Sequence, residues 1–201
     1  MTKIKLCGIR RIEDIEAVNS LKPDYIGFVF AKASKRYVTG TEAKRLKEAL
    51  VPGIQAAGVF VDENINNVAD LLEKGIIDIA QLHGNEDEKY IDELRRLSGK
   101  PLIRAFRVKK RDDLKKAMEC SADHILLDAG AGDGETFEWG WLKEFERPFI
   151  LAGGLDADNV GRAISLLHPY GVDVSSGIET DGFKDEGKMR AFVEAVRRHT
   201  D

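Results

Sequence analysis

Cys7, Arg36, His83, Asp128, Asp173 and two Gly/Ser clusters are the groups of this 201-residue chain best suited to chemistry, and each follows or closes an apolar run. Cys7 closes Ile4-Lys5-Leu6 and stands beside Gly8. A thiol acts as a base only when ionised, and an ordinary cysteine is about 3% thiolate at pH 7. Neighbouring cations would raise that share. The competing reading is a small buried hydrophobe, which suits Cys120 at the far end of a helix pattern.

Asp128 closes Ile125-Leu126-Leu127. It is either a satisfied structural acid or an acid/base group, and its semi-apolar setting predicts a raised pKa, as a general acid needs. Arg36, in Ser34-Lys35-Arg36-Tyr37, can grip a carboxylate with its fork of donors or be a solvated loop charge. His83, in Gln81-Leu82-His83-Gly84, has no second His or Cys at a metal-ligand spacing, so it reads as pocket-lining and no metal site is expected. Gly153-Gly154 and Ser176-Gly177 suit a phosphate, because bare backbone N–H groups can approach an anion there. Read singly, each is also a tight connection; together they favour phosphate.

Chemistry of this kind needs elements that bring distant residues to one place. Eight apolar runs read as strands: Ile4–Leu6, Tyr25–Phe30, Gln55–Val61, Ile77–Leu82, Leu102–Val108, His124–Leu127, Phe149–Leu151 and Val172–Val174. Apolar character throughout is the mark of parallel strands covered on both faces. Amphipathic helix patterns alternate with them: Ile12–Leu21, Thr41–Leu50 with Thr41 as N-cap, Ile65–Leu72, Asp87–Leu97, Asp112–Met118, the shorter Trp139–Phe145, Asn159–Leu167 and Lys188–Val196. Eight strictly alternating units predict an α/β fold, a (β/α)8 TIM barrel forming a single compact domain over residues 1–201. The runner-up, an open doubly wound sheet, would want G-x-G-x-x-G after the first strand, where the chain has Cys7-Gly8-Ile9-Arg10. In a barrel the C-terminal strand ends carry function, and every group named above sits at such an end.

Composition narrows the partners. Hydrophobic residues make up 43%, so a packed core is expected. The 31 Lys and Arg against 35 Asp and Glu give a net charge of −4, which disfavours a nucleic-acid-binding protein. No apolar run reaches about 18 residues, so no membrane span is expected. Two cysteines cannot make a disulfide framework, and the opening residues lack a secretory pattern, so the expected setting is cytoplasmic.

The motifs resemble those of the phosphoribosylanthranilate isomerase family. They are Lys5-Leu6-Cys7-Gly8-Ile9, Ser34-Lys35-Arg36-Tyr37-Val38, Gln81-Leu82-His83-Gly84, Leu126-Leu127-Asp128, Gly132 to Trp139, Leu151-Ala152-Gly153-Gly154-Leu155 with Asp158-Asn159-Val160, and Gly171 to Glu179. The resemblance implies a (β/α)8 barrel without metal or organic cofactor. The implied activity belongs to tryptophan biosynthesis: conversion of N-(5-phosphoribosyl)anthranilate to its 1-deoxyribulose phosphate isomer, an Amadori rearrangement. It implies Cys7 as general base, Asp128 as general acid, Arg36 at the anthranilate carboxylate and Asp173 in substrate positioning, with His83 at the substrate. Gly153, Gly154, Ser176 and Gly177 would hold the phosphate. The expected partner is this small molecule alone, bound by a monomer or homodimer. One departure stands out: Asp133 and Glu135 replace a neutral residue and a cation of the family's Gly-Thr-Gly-Lys-Thr-Phe, so neither is expected to touch the ligand. The alternatives are a related barrel acting on another phosphorylated sugar or indole precursor, and a non-catalytic phosphate-binding barrel.

Overall fold

A computed structural model describes residues 1–130 and 139–199. Eight parallel strands close into a barrel in sequence order: β1 (Lys3–Cys7), β2 (Tyr25–Val29), β3 (Gln55–Phe60), β4 (Ile79–Leu82), β5 (Leu102–Arg107), β6 (His124–Asp128), β7 (Phe149–Ala152) and β8 (Gly171–Val174). The barrel closes where β1 pairs with β8, with Lys5 opposite Asp173. Outside it lie α1 (Ile12–Leu21), α2 (Gly40–Glu48), α3 (Ile65–Glu73), α4 (Glu88–Ser98), α5 (Arg111–Glu119), α6 (Val160–Leu167) and α7 (Glu186–Arg198).

Strand alternation sorts the core into two layers. Ile4, Leu6, Ile26, Phe28, Phe60 and Leu82 point outward and pack with the helices. Tyr25, Ala57, Ile79, Ile103, Ala105, Leu126, Ile150 and Ala152 point inward and fill the barrel. The same alternation turns Lys5, Cys7, Gln81, Asp128 and Asp173 inward. Apart from Lys5, in the middle of β1, these polar residues lie toward the C-terminal ends of their strands, so the apolar plug stops short of that rim.

The structure departs from the sequence expectations at three places. Thr39, not Thr41, caps α2: its hydroxyl accepts from Glu42 N–H at 3.2 Å, and the Glu42 carboxylate accepts from Thr39 N–H at 2.8 Å. This reciprocal box satisfies two end donors at once, which a cap at Thr41 could not match. The segment Trp139–Glu144 is a 3-10 helix rather than an α-helix, so the described residues hold seven α-helices, not eight. After β8 comes a short 3-10 turn, Ser176–Ile178, and then an unanticipated hairpin, β9 (Glu179–Thr180) and β10 (Phe183–Lys184). Its two-residue connection is Asp181-Gly182, with φ of 52° and 78°. That is the left-handed geometry that tight hairpins demand and that Asp-Gly supplies.

Candidate active site

The exits of β1 and β8 build the thiol side. Cys7 is buried, and it fits because its cross-strand partner is Gly27: a Cβ added there would lie 2.6 Å from Sγ. Two residues earlier on the same face, the Lys5 ammonium donates to Asp173 Oδ2 at 2.9 Å and its charge acts on Cys7. Burial pushes the Cys7 thiol above its ordinary value; Lys5 and Lys184 pull it down, Asp173 adds to the rise, and burial prevails. The thiolate enrichment expected from nearby cations is therefore not present in the resting site. Burial likewise raises the Asp173 carboxyl against the pull of Lys5. Asp173 Oδ1 is buried and accepts no hydrogen bond from the described residues.

The exits of β4 and β6 build the carboxylate side. Asp128 Oδ1 accepts from Gly130 N–H at 3.0 Å, and Oδ2 lies 3.4 Å from His83 Nε2. Gln81 Nε2 sits 3.2 Å from His83 Nδ1. The two ring nitrogens of His83 face Gln81 and Asp128. His83 is thus a partner of Asp128 and not an isolated pocket wall. Its loop is braced by Arg104, which donates to Leu82 O at 2.9 Å and Gly84 O at 3.0 Å, and by Glu86, which accepts from Gly84 N–H at 2.8 Å. Burial alone would raise the Asp128 carboxyl, as its apolar run suggested. The His83 hydrogen bond and charge, Gly130 N–H and Arg107 outweigh it, and the group lies below the ordinary aspartate value. The apolar run is only the base of the site; its polar neighbours arrive from other strands.

Arg36 is not a solvated charge. Its Nε and Nη2 grip Glu179 of β9 at 2.6 and 2.7 Å, a bidentate pair. Lys184 of β10 donates to the same carboxylate at 2.8 Å and to Ser175 O at 2.8 Å. Burial opposes ionisation of Glu179, yet Arg36 and Lys184 draw its pKa down to about 2. Everything on this side meets over Gly8, whose φ of 83° suits glycine: a Cβ there would run into Arg36 and stand 3.3 Å from both Lys184 Nζ and Ser175 Oγ.

The two glycine loops share one wall. Gly153 and Gly154 have φ of 94° and 66°. A Cβ on Gly177 would meet Leu155 and stand 3.1 Å from Asp156 Cβ, so the loop after β8 lies directly against the loop after β7. Ser176 is exposed at that junction. Asn159 Nδ2 donates to Gly154 O at 2.8 Å and fixes the turn that leads into α6.

The barrel rim therefore gathers Cys7, Asp173, Asp128 with His83, Arg36 and both loops. Asp173 links the two sides, feeling Lys5 on one and His83 and Asp128 on the other. The segment from Gly132 to Glu138, with Asp133 and Glu135, lies outside the described residues. Sequence reasoning missed Lys5, Glu179 and Lys184 as parts of the site. The available signals were a lysine alternating with Cys7 inside an apolar strand and the Asp181-Gly182 turn. Among the described residues, no group of three or more His, Cys, Asp or Glu is placed to hold a metal, and no helix is long and apolar enough to cross a membrane.

Residues 4–195 match the family model described as N-(5'phosphoribosyl)anthranilate (PRA) isomerase. The chain is 46% identical over 207 residues to the N-(5'-phosphoribosyl)anthranilate isomerase of Clostridium acetobutylicum, covering 98% of this chain and 99% of that protein. It superimposes on the phosphoribosyl anthranilate isomerase of Thermotoga maritima with a TM-score of 0.89 at 32% identity, covering 98% and 100% of the two chains. It is similar also to a phosphoribosyl anthranilate isomerase in complex with reduced 1-(o-carboxyphenylamino)-1-deoxyribulose 5-phosphate, with TM-score 0.87, 32% identity and coverage of 98% and 100%.

Proposed function

The chain belongs to the N-(5'-phosphoribosyl)anthranilate isomerase family, and from that premise we propose that Cys7 and Asp128 are the base and the acid of its rearrangement. The chain is an aldose–ketose isomerase of tryptophan biosynthesis with a phosphorylated small-molecule substrate. The observation that supports the residue roles is the pairing of a buried thiol and a hydrogen-bonded carboxylate on one rim, with Asp173 in charge contact with both sides.

The steps follow from that geometry. Asp128 gives its proton to the furanose ring oxygen; the C1–O bond breaks, and the nitrogen lone pair closes a protonated Schiff base. Cys7, as thiolate, takes the proton from C2, and the C–H electrons form the C1=C2 bond of an enolamine. Protonation at C1 and loss of the O2 proton leave the ketone. Arg36 meets the anthranilate carboxylate with the donors that Glu179 leaves free. Gly153, Gly154, Ser176 and Gly177 hold the phosphate. Asp173 Oδ1, which lacks a donor, accepts from a sugar hydroxyl or the amine and so orients C2. His83 positions the Asp128 carboxyl. Each proton transfer contributes about 10²–10⁴-fold, and the two anionic ends of the substrate supply binding that holds the sugar between acid and base.

The test follows the loss of substrate fluorescence with purified protein. Cys7→Ser and Asp128→Asn should fold, bind a product analogue within about tenfold (~1.4 kcal/mol) and lose turnover by about 10²–10⁴-fold. Parental turnover in Cys7→Ser would refute the base assignment; in Asp128→Asn it would move the acid to Asp173. Monomer or homodimer is the proposed assembly and the cytoplasm the proposed setting, in keeping with two free buried cysteines; sedimentation velocity and cell fractionation check them.

A further inference from the structure

Lys5 is among the largest fully buried side chains of the protein, 1% exposed inside the barrel. An ammonium in such a place is costly, and a well-packed apolar side chain would serve stability as well or better. Its placement is specific. Alternation along β1 puts it on the same face as Cys7, and the β1–β8 register puts it opposite Asp173. An ammonium carries three donors. One goes to Asp173 Oδ2 at 2.9 Å, which leaves two donors on the face that Lys5 shares with Cys7.

We propose that Lys5 is the counter-ion of the Cys7 thiolate, a positioning residue shared between the Asp173 carboxylate and the sulfur. The proposal rests on the reading of Cys7 as base. Four charged groups face that sulfur: Lys5 from its own strand, Asp173 from β8, Lys184 from β10 and Arg36 from the loop after β2. Lys184 and Arg36 are both engaged by Glu179. Lys5, held by Asp173 and on the same strand face as Cys7, is the cation that acts most on the sulfur. In the resting site Asp173 balances its charge. When the Cys7 proton leaves, by way of solvent, for the Asp128 carboxylate, the sulfur becomes a second anion beside the same ammonium. When the thiolate then accepts the C2 proton, that anion disappears and Lys5 returns to Asp173 alone. The ammonium keeps its own protons throughout. Asp173 acts in the opposite sense, since its negative charge disfavours the thiolate.

The experiment is a thiol titration by ultraviolet absorbance in a Cys120→Ser background, with the Cys7→Ser protein subtracted as blank. Lys5→Met should move the Cys7 titration up by about one unit or more, about tenfold less thiolate at a fixed pH. Asp173→Asn, nearly isosteric, should move it down. Opposite shifts from two members of one ion pair are a signature that loss of packing does not produce. An unchanged titration in folded Lys5→Met, or an upward shift in Asp173→Asn, overturns the proposal. If Lys5→Met fails to fold, Lys5→Gln, which removes the charge and keeps a polar tip, carries the same expected upward shift, and an unchanged titration in it overturns the proposal. Should Cys7→Ser keep parental turnover, the base assignment falls while the effect of Lys5 on the sulfur stays measurable, so the two failures are told apart.

Discussion

If Cys7 is the base and Asp128 the acid, as proposed, their resting protonation state is the reverse of the one that reacts, and this sets the pH dependence of turnover. With ordinary values of about 8.5 for the thiol and 3.9 for the carboxyl, the species carrying both thiolate and carboxylic acid is a fraction of about 10⁻⁴·⁶, or ~6 kcal/mol above the resting pair. The structure widens this gap from both sides, because burial raises Cys7 while His83, Gly130 N–H and Arg107 together outweigh burial at Asp128. Between the two titrations the minor fraction does not change with pH. Activity should therefore form a broad plateau, falling on the acid side as Asp128 is protonated in the bulk species and on the alkaline side as Cys7 ionises. The loss of fraction is tolerable. A turnover of about 10 s⁻¹ needs ~4 × 10⁵ s⁻¹ from the minor species at the ordinary gap and more at the widened one, against a ceiling of about 6 × 10¹² s⁻¹. The alkaline limb is the informative one, since the substrate phosphate also titrates near pH 6. Initial rates of fluorescence loss at low substrate, taken across pH, should show an alkaline limb that coincides with the thiol titration of free protein. At pH 7 less than about 3% of Cys7 should be thiolate. A Cys7 that is mostly thiolate at pH 7 in the free protein would refute the reversed order.

Arg36→Met should raise KM for the substrate with a smaller effect on kcat, while inhibition by inorganic phosphate stays unchanged; a parallel loss of phosphate inhibition would mean that Arg36 serves the other end of the substrate. Glu179, held at a pKa of about 2 in the folded protein, contributes stability that is present above the ordinary carboxylate range and is lost as pH falls toward 2. Thermal melts at descending pH should lose less in Glu179→Gln than in the parent. Gly27→Ala would set a Cβ 2.6 Å from the Cys7 sulfur, so it should cost about 1–3 kcal/mol by overpacking and most of the turnover, both read from a denaturant melt and the fluorescence assay.

The barrel was legible because its strands are apolar on both faces and its helices are not. All eight strands fall where continuous hydrophobic runs lie, and closure is set by their number. What escaped the pattern was decided by geometry at a finer scale. Thr39 and Thr41 are equivalent as cap types, but only Thr39 has a glutamate three residues on. Trp139–Glu144 is too short for periodicity to separate a 3-10 turn from an α-helix. The hairpin after β8 was announced only by Asp181-Gly182, flanked by two strands of two residues each.

The site was legible by position and illegible by state. Knowing that strand exits carry function locates Cys7, Asp128 and Asp173 without coordinates. It gives no account of how each is charged, because charge is set across strands that are distant in sequence. Asp128 lies 45 residues from His83, counted along the chain, and that contact, with Gly130 N–H and Arg107, reverses the shift its own strand suggests. Cys7 is held above its ordinary value chiefly by burial, to which an aspartate 166 residues away adds and which Lys5 opposes. Arg36, alone in its loop, looks solvated until β9 supplies Glu179. The strand places each group, and the packing and charges that the closed barrel brings around it set its proton. An exit residue transplanted to another barrel should therefore keep its place and lose its chemistry unless its partners travel with it.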